Sequence, residues 1–232
     1  MAQLNSTPLF TDANLKAYYR FESGALTTDE SGESHTLTAI SDPAEGTGRF
    51  GGGVDLDGND AYSITDHADL KPTGNFSVGA WFKTSTTGVY QLLFQSFSQN
   101  TNIAGISLRI QNSNVVGLQL GRNTGTGVGD DKNVSGTSTV TDGNWHLGVA
   151  TWDGSNIRIY VDGVCETTAA WTYAAGYAAT NYVRVGCYNN SGTNQLFLTG
   201  SLDEVFLFNG TALSADQINW LYKTSSGFFD FF

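Results

Sequence analysis

The chain has 232 residues, 22 of them acidic and 11 basic, which sets a net charge of −11 at pH 7. That charge repels nucleic-acid phosphates, and no Lys/Arg cluster offsets it, so nucleic-acid binding is not expected. Charged residues make up only 14%, while there are 28 Gly and 12% aromatics, a composition that argues against a helical protein and for short strands joined by tight turns.

Residues 1–14 read as an irregular N-terminal arm, and residues 1–5 (MAQLN) show neither the basic nor the apolar region of a signal peptide. No run approaches the ~18 apolar residues of a membrane span. The expectation is a protein made in the cytosol that stays soluble, unless a leader has been removed. Regular structure opens with a strand at 15–21 (LKAYYRF). Residues 29–32 (DESG) form a turn that Asp29 opens and Gly32 completes. In 54–58 (VDLDG), Val54 and Leu56 share a face, and Asp57-Gly58 signals a hairpin into 61–64 (AYSI).

Three segments carry the clearest strand pattern. Residues 76–83 put Phe76, Val78, Ala80 and Phe82 on one side. Residues 145–152 group Trp145, Leu147, Val149 and Thr151. Residues 156–161 turn Ile157, Ile159 and Val161 inward, with Arg158 and Tyr160 outward. Further strands are expected at 106–110, 115–120, 182–187 and 200–208. Ser214 and Gln217 fit a capping box, and Ile218, Leu221 and Tyr222 follow at helical spacing, which predicts a short helix over 214–223. Trp81, Trp145 and Trp152 read as core. Cys165 and Cys187 allow either one bridge between neighbouring strands or two buried free thiols. No linker and no 20–50-residue repeat divides the chain, so one domain spans 15–224, followed by a tail at 225–232.

Taken in order, LKAYYRFE (15–22), DESG (29–32), GRFGGGVDLDG (48–58), FSVGAWF (76–82), DGNWHLGVATW (142–152), IRIYVDG (157–163), GSLDEV (200–205) and LSADQINWLY (213–222) resemble successive motifs of the laminin-G-like, concanavalin A-like lectin-glucanase jelly rolls. The resemblance implies an all-β fold: a two-sheet antiparallel β-sandwich with one short C-terminal helix. Strands with one buried and one wet face agree with that. It also implies a structural calcium tying the first strand to the last, with Asp203 as carboxylate ligand and Glu22 and a backbone carbonyl near Gly51 completing an oxygen set. The alternative is that Asp203 only accepts backbone hydrogen bonds in a turn.

Some jelly rolls of this kind are glucanases. Retaining glycoside hydrolysis needs two carboxylates about 5 Å apart, and the Glu-x-Asp-x-x-Glu run that supplies them is missing. Asp203 and Glu204 are adjacent, and adjacent residues of a strand point to opposite faces. His35, His67 and His146 show no metal-ligand spacing. No catalytic residue is therefore assigned, and a non-enzymatic role is expected.

Binding is expected in polar loops at 100–102, 129–132 and 188–191, the last containing Asn189 and Asn190, whose amides suit sugar hydroxyls. Trp171, Tyr173 and Tyr177 lie in an Ala-rich stretch where rings either stack on a sugar face or cap the sandwich edge. Phe228, Phe229, Phe231 and Phe232 form an apolar terminus expected to dock into a neighbouring molecule rather than fold back. The combined expectation is a virion-associated (phage) surface or decoration protein that binds glycan or other virion proteins and oligomerises through its tail. The alternative is a secreted or cell-surface carbohydrate-binding adhesion module, with a glucanase-like hydrolase as a minor reading.

Overall fold

The regular alternation of apolar residues produces long antiparallel ladders. A computed structural model describes residues 9–99, 103–122, 131–177 and 181–224. The expected interface residues Phe228, Phe229, Phe231 and Phe232 lie outside these, as do the loop 100–102 and residues 129 and 130.

In chain order the strands begin with β1 (Leu15–Tyr19), β2 (Thr38–Ile40), β3 (Ala44–Thr47), β4 (Gly52–Asp57), β5 (Ala61–Ile64) and β6 (Phe76–Lys83). Next come β7 (Gln91–Gln99), β8 (Ile103–Ile110), β9 (Val116–Arg122), β10 (Asp131–Ser135), β11 (Trp145–Trp152) and β12 (Asn156–Val161). The last are β13 (Val164–Ala170), β14 (Tyr182–Val185), β15 (Tyr188–Asn190), β16 (Thr193–Gln195) and β17 (Thr199–Asn209), followed by the helix α1 (Ala215–Lys223).

Among the described residues these strands form an eight-stranded sheet, β13-β12-β11-β6-β17-β4-β3, with β1 also paired to β17. A seven-stranded sheet, β10-β9-β8-β7-β14-β5-β2, faces it, and β15 and β16 make a separate ribbon. The expected two-sheet jelly roll with one C-terminal helix is the observed fold. Residues 9–14, read as part of an arm, are docked: Leu9 is buried, Asn14 Nδ2 donates to Thr211 Oγ1, and Asn209 N donates to Asn14 O.

The sandwich core takes the faces expected from alternation, including Val54, Leu56, Phe76, Val78, Ala80, Phe82, Ile157, Ile159 and Val161. A second apolar layer lies on the other side of the eight-stranded sheet. Here α1 buries Ile218 and Leu221 over Trp81, Leu147, Val149, Tyr160, Phe206 and Phe208. Tyr222 stacks on Trp81 at 5.7 Å and Phe50 meets it edge-on at 5.8 Å. The capping box is present, Ser214 Oγ accepting from Gln217 N and Gln217 Oε1 from Ser214 N. Because a helix covers the outer face, β6, β11 and β17 are buried on both sides. Gly79 makes this possible: a Cβ there would sit 2.4 Å from the Phe206 ring.

One local expectation fails. Asp57-Gly58 does not close a hairpin, because β4 belongs to the eight-stranded sheet and β5 to the other. The turn is a crossover, held by Asp60, whose carboxylate accepts from Asp42 N and Asp57 N. Strand β7 escapes the alternation rule because a bulge lies between Leu92 and Phe94. Leu93 and Phe94 enter the core, while Leu92 and Phe97 pack outside with Tyr188 of the ribbon. The cysteines are unpaired: Cys165 is exposed on β13, and Cys187 is buried, its thiol pushed up to about 12 by burial.

His146, near the start of β11, lies between two carboxylates. Its Nδ1 is 2.8 Å from Asp162 Oδ2 and its Nε2 is 3.0 Å from Asp142 Oδ1. The hydrogen bond to Asp162 raises the histidine pKa, overcoming partial burial, with Asp142 adding to it. A histidine whose pKa is raised on folding stabilises the protein fully below its unfolded pKa of about 6.5. That stabilisation fades as pH rises through the higher folded value. His146→Gln should therefore lower the melting temperature by a few degrees at pH 5.5 and by less at pH 8.5. Thermal melts of the two proteins across this range check it, and an equal deficit at both pH values would contradict the ion-pair account.

Candidate functional site

Among the described residues, no helix covers the outer face of the seven-stranded sheet. Alternation on β8 and β9 sends Ile106, Leu108, Leu118 and Leu120 into the core and leaves Ser107, Arg109 and Gln119 outside. Strand β10 adds Asp131 and Asn133 beside them. These side chains form one ladder. Arg109 Nη1 donates to Gln119 Oε1 at 2.9 Å and Nη2 donates to Asn133 Oδ1 at 2.7 Å. Gln119 Nε2 and Asn133 Nδ2 each donate to Asp131 Oδ2 at 2.8 Å.

The Arg109 guanidinium lies over the Tyr90 ring at 5.0 Å, and burial lowers its pKa. Arg109 Nε and the buried Ser107 Oγ have no hydrogen-bond partner among the described residues. Unpartnered buried polar groups are uncommon in folded proteins. The ladder is thus an organised set of amide, guanidinium and carboxylate groups with an aromatic ring at its edge, a composition suited to alternating hydroxyl donors and acceptors. The sequence reading reached Asp131 alone, as part of a loop at 129–132, whereas Asp131 and Lys132 lie in β10. It missed Arg109, Gln119 and Asn133, although the polar positions of 106–110 and 115–120 carried the signal for the first two.

The expected ligand-binding residues are dispersed. Trp171 packs against the end of the sandwich core, and its carbonyl accepts from Trp152 Nε1 at 2.8 Å. Tyr173 is 52% exposed, edge-on to Trp171 at 5.2 Å, with the Arg122 guanidinium 4.0 Å from its ring centre. Tyr177 packs on the core and its hydroxyl donates to Pro72 O, so it caps the edge instead of presenting a platform. Asn189 is buried and internally bonded: its N–H donates to Gln95 Oε1, its Nδ2 to Asn194 Oδ1, and its Oδ1 accepts from Gly192 N. Its amide fixes the ribbon turn and is not available to a sugar. Asn190, beside it, is half-buried and accepts from Ser191 Oγ.

Of the residues expected around calcium, Glu22 lies against Gly51 and Gly52, and Asp203 reaches the N–H of the neighbouring Phe50. Strand β17 is paired along one side by β4 up to Leu202 and by β1 from Val205 onward. Between them lies a bulge, with Glu204 at φ +52°. Leu202 and Val205 both enter the sandwich core, so Asp203 and Glu204 fall together on the outer face. The expected opposition of these two acids is thus corrected by the bulge. Asp203 Oδ2 accepts from Phe50 N at 2.9 Å, whereas Oδ1 has no partner among the described residues. Burial, then the Glu204 charge, pushes the Asp203 carboxyl up to about 8.

Glu22 Oε2 accepts from Gly52 N at 3.0 Å, and its Oε1 pairs with Arg20 at 3.1 Å. Gly51, at φ +58°, lets this carboxylate lie over its Cα, where a Cβ would come within 2.8 Å of Glu22 Oε2. Glu204 accepts from the Tyr18 hydroxyl and lies 3.5 Å from Arg20 Nε. An orphaned oxygen on a buried, charge-poor carboxyl fits a cation. Glu22 is already committed to Arg20 and Gly52 and fits less well.

A family model described as the concanavalin A-like lectin/glucanases superfamily matches residues 56–219. No curated protein matches the chain in sequence. Among solved structures, it is similar to the binding domain of a Paraclostridial mosquitocidal protein, with a TM-score of 0.72 and 12% identity over 92% of this chain and 52% of that one. Domain 4 of AbnA, an extracellular arabinanase from Geobacillus stearothermophilus solved in complex with arabinotriose, gives 0.70 and 19% over 90% of this chain and 98% of that one. The ligand-binding domain of botulinum neurotoxin serotype D, in complex with N-acetylneuraminic acid, gives 0.65 and 15% over 90% of this chain and 50% of that one. The chain spans about half the length of the toxin domains that it matches. No helix among the described residues is long and apolar enough to cross a membrane.

Proposed function

Because the chain belongs to the concanavalin A-like lectin/glucanase superfamily, we propose that it is a non-catalytic module binding an uncharged oligosaccharide on the outer face of its seven-stranded sheet. The observation that carries this reading is the Arg109–Gln119–Asn133–Asp131 ladder beside Tyr90. Core packing does not require this array, and it offers several directed donors and acceptors on one surface. Arabinotriose, the ligand of the arabinanase domain, is an uncharged sugar. The net charge of −11 favours such ligands over anionic glycans. The non-catalytic reading draws on the burial of the adjacent acids: Asp203 and Glu204 have 0% exposure, so neither can touch a polymer.

Calcium at the β17 bulge belongs to the same proposal. Asp203 Oδ1 and a Gly51 carbonyl would hold it, with Glu22 at the margin, and the ion would neutralise the acids where β1 and β4 meet. Display on a virion surface is the finer placement, which the low charge content and the Thr/Asn/Gly-rich sequence support. Self-association through Phe228, Phe229, Phe231 and Phe232 goes with it.

On an array of uncharged and sialylated glycans, binding to the uncharged class should fall at least about tenfold in Arg109→Ala or Gln119→Ala, the loss of one or two good hydrogen bonds. It should persist in Tyr173→Ala. Unchanged binding in Arg109→Ala, or exclusive binding of sialylated glycans, would sink the site assignment. For the ion, a chelator should lower the melting temperature and added calcium restore it, by about 2.7 kcal/mol at a hundredfold excess over the dissociation constant. Asp203→Ala should lose that response, and a chelator-insensitive wild-type melt removes calcium from the proposal.

A further inference from the structure

His35 and His67, far apart in sequence and read as unrelated, meet on the surface with Asp69. The turn opened by Asp29 holds His35 from both sides: Asp29 Oδ2 accepts from His35 N at 2.8 Å, and the Tyr19 hydroxyl donates to His35 O at 2.7 Å. His67 is the N-cap of a one-turn 3-10 helix at Ala68–Leu70, and this turn brings Asp69 back beside it. His35 Nε2 lies 3.4 Å from Asp69 Oδ2, and His67 Nδ1 lies 3.1 Å from the same oxygen. All three donor atoms fall within 4.8 Å of one another.

Two features set this cluster apart from an ordinary surface ion pair. The His35 side chain is only 10% exposed, and its Nε2 is buried without a hydrogen-bond partner among the described residues. The His67 ring is 55% exposed, so its Nδ1, 3.3 Å from Asp69 N, can turn from that N–H to meet an ion. Two imidazole nitrogens and a carboxylate oxygen therefore converge within 4.8 Å, an arrangement that a cation can join.

We propose that His35, His67 and Asp69 bind a borderline divalent transition metal, with zinc as the type. A tetrahedral ion with ligand bonds of 2.0–2.1 Å places its ligand atoms about 3.3 Å apart. The distances of 3.4 and 3.1 Å to Asp69 match that edge. The third side, within 4.8 Å, would close on rotation of the His67 side chain, which is 55% exposed. Two nitrogens and one oxygen select such a metal over calcium or magnesium, which prefer oxygen donors. With three protein ligands, the fourth position faces solvent and takes water or a donor from a bound partner. The ion staples the 29–37 segment to the 67–70 turn. It is independent of the calcium and glycan assignments and shares no residue with them.

The test uses tag-free, chelator-treated full-length protein titrated with zinc and with cobalt by calorimetry, together with visible absorption of the cobalt form. The expected result is one equivalent bound, an intense tetrahedral cobalt band, and a higher melting temperature with metal. His35→Gln, His67→Gln and Asp69→Asn should each weaken binding at least about tenfold while leaving the metal-free melt near that of the parent. His146→Gln should bind as the parent does, and excess calcium should not compete. Absence of zinc binding, equal binding in His35→Gln and His67→Gln, or loss of binding only in His146→Gln each overturns the proposal.

Discussion

Strand β17 has neighbours on both sides, and along one side it has two: β4 against residues 199–202 and β1 against residues 205–208. The seam between those two strands falls at Asp203 and Glu204, where the bulge places both acids on one face. A left-handed Glu204 costs about 1–2 kcal/mol, and two carboxyls out of water cost more. Arg20, the Tyr18 hydroxyl and the N–H of Phe50 answer part of that cost. The seam in turn sets where β1 ends, where β4 starts, and where Phe50 rests against Trp81. The layer beneath α1 therefore depends on how these charges are satisfied.

The two sheets divide their tasks. The eight-stranded sheet is buried on both faces around β6, β11 and β17, because the sandwich core lies on one side and α1 on the other. Such a sheet has little surface left for a ligand. The seven-stranded sheet is packed on one side, and among the described residues the ribbon packs on its other side near Leu92 and Phe97. On β8, β9 and β10 its outer positions carry Arg109, Gln119, Asp131 and Asn133, bonded to one another across the three strands. A rigid sheet that carries such groups holds them in fixed geometry with little ordering cost on binding, which suits recognition.

The two candidate metal positions illustrate how donor chemistry separates ions. Around Asp203 the available groups are oxygens, one of them orphaned by burial. Around His35 they include two imidazole nitrogens near the surface. Both sit where segments distant in sequence meet, so an ion at either would tie loops to the sandwich without altering the sheets.

The sequence by itself determined the elements whose residues obey a local period. Alternation in 76–83 and 156–161 marked the core faces, and Ser214 with Gln217 marked the helix start, because side-chain direction and capping depend on neighbours a few residues away. The ordered motifs from 15 to 222 identified the jelly roll for the same reason. Only the tertiary structure decided what depends on distant pairing. The bulges in β7 and β17 broke alternation, so Leu92 and Phe97 moved outside and Glu204 joined Asp203. Asp57-Gly58 became a crossover because β5 pairs with β14 and β2. Asn189 and Tyr177 were drawn into internal hydrogen bonds, while Arg109, Gln119 and Asn133 came together from three strands. His35 met His67 through two turns whose contact no spacing encodes. Local period reports which way a residue points; what it meets there is set by strands paired from elsewhere in the chain.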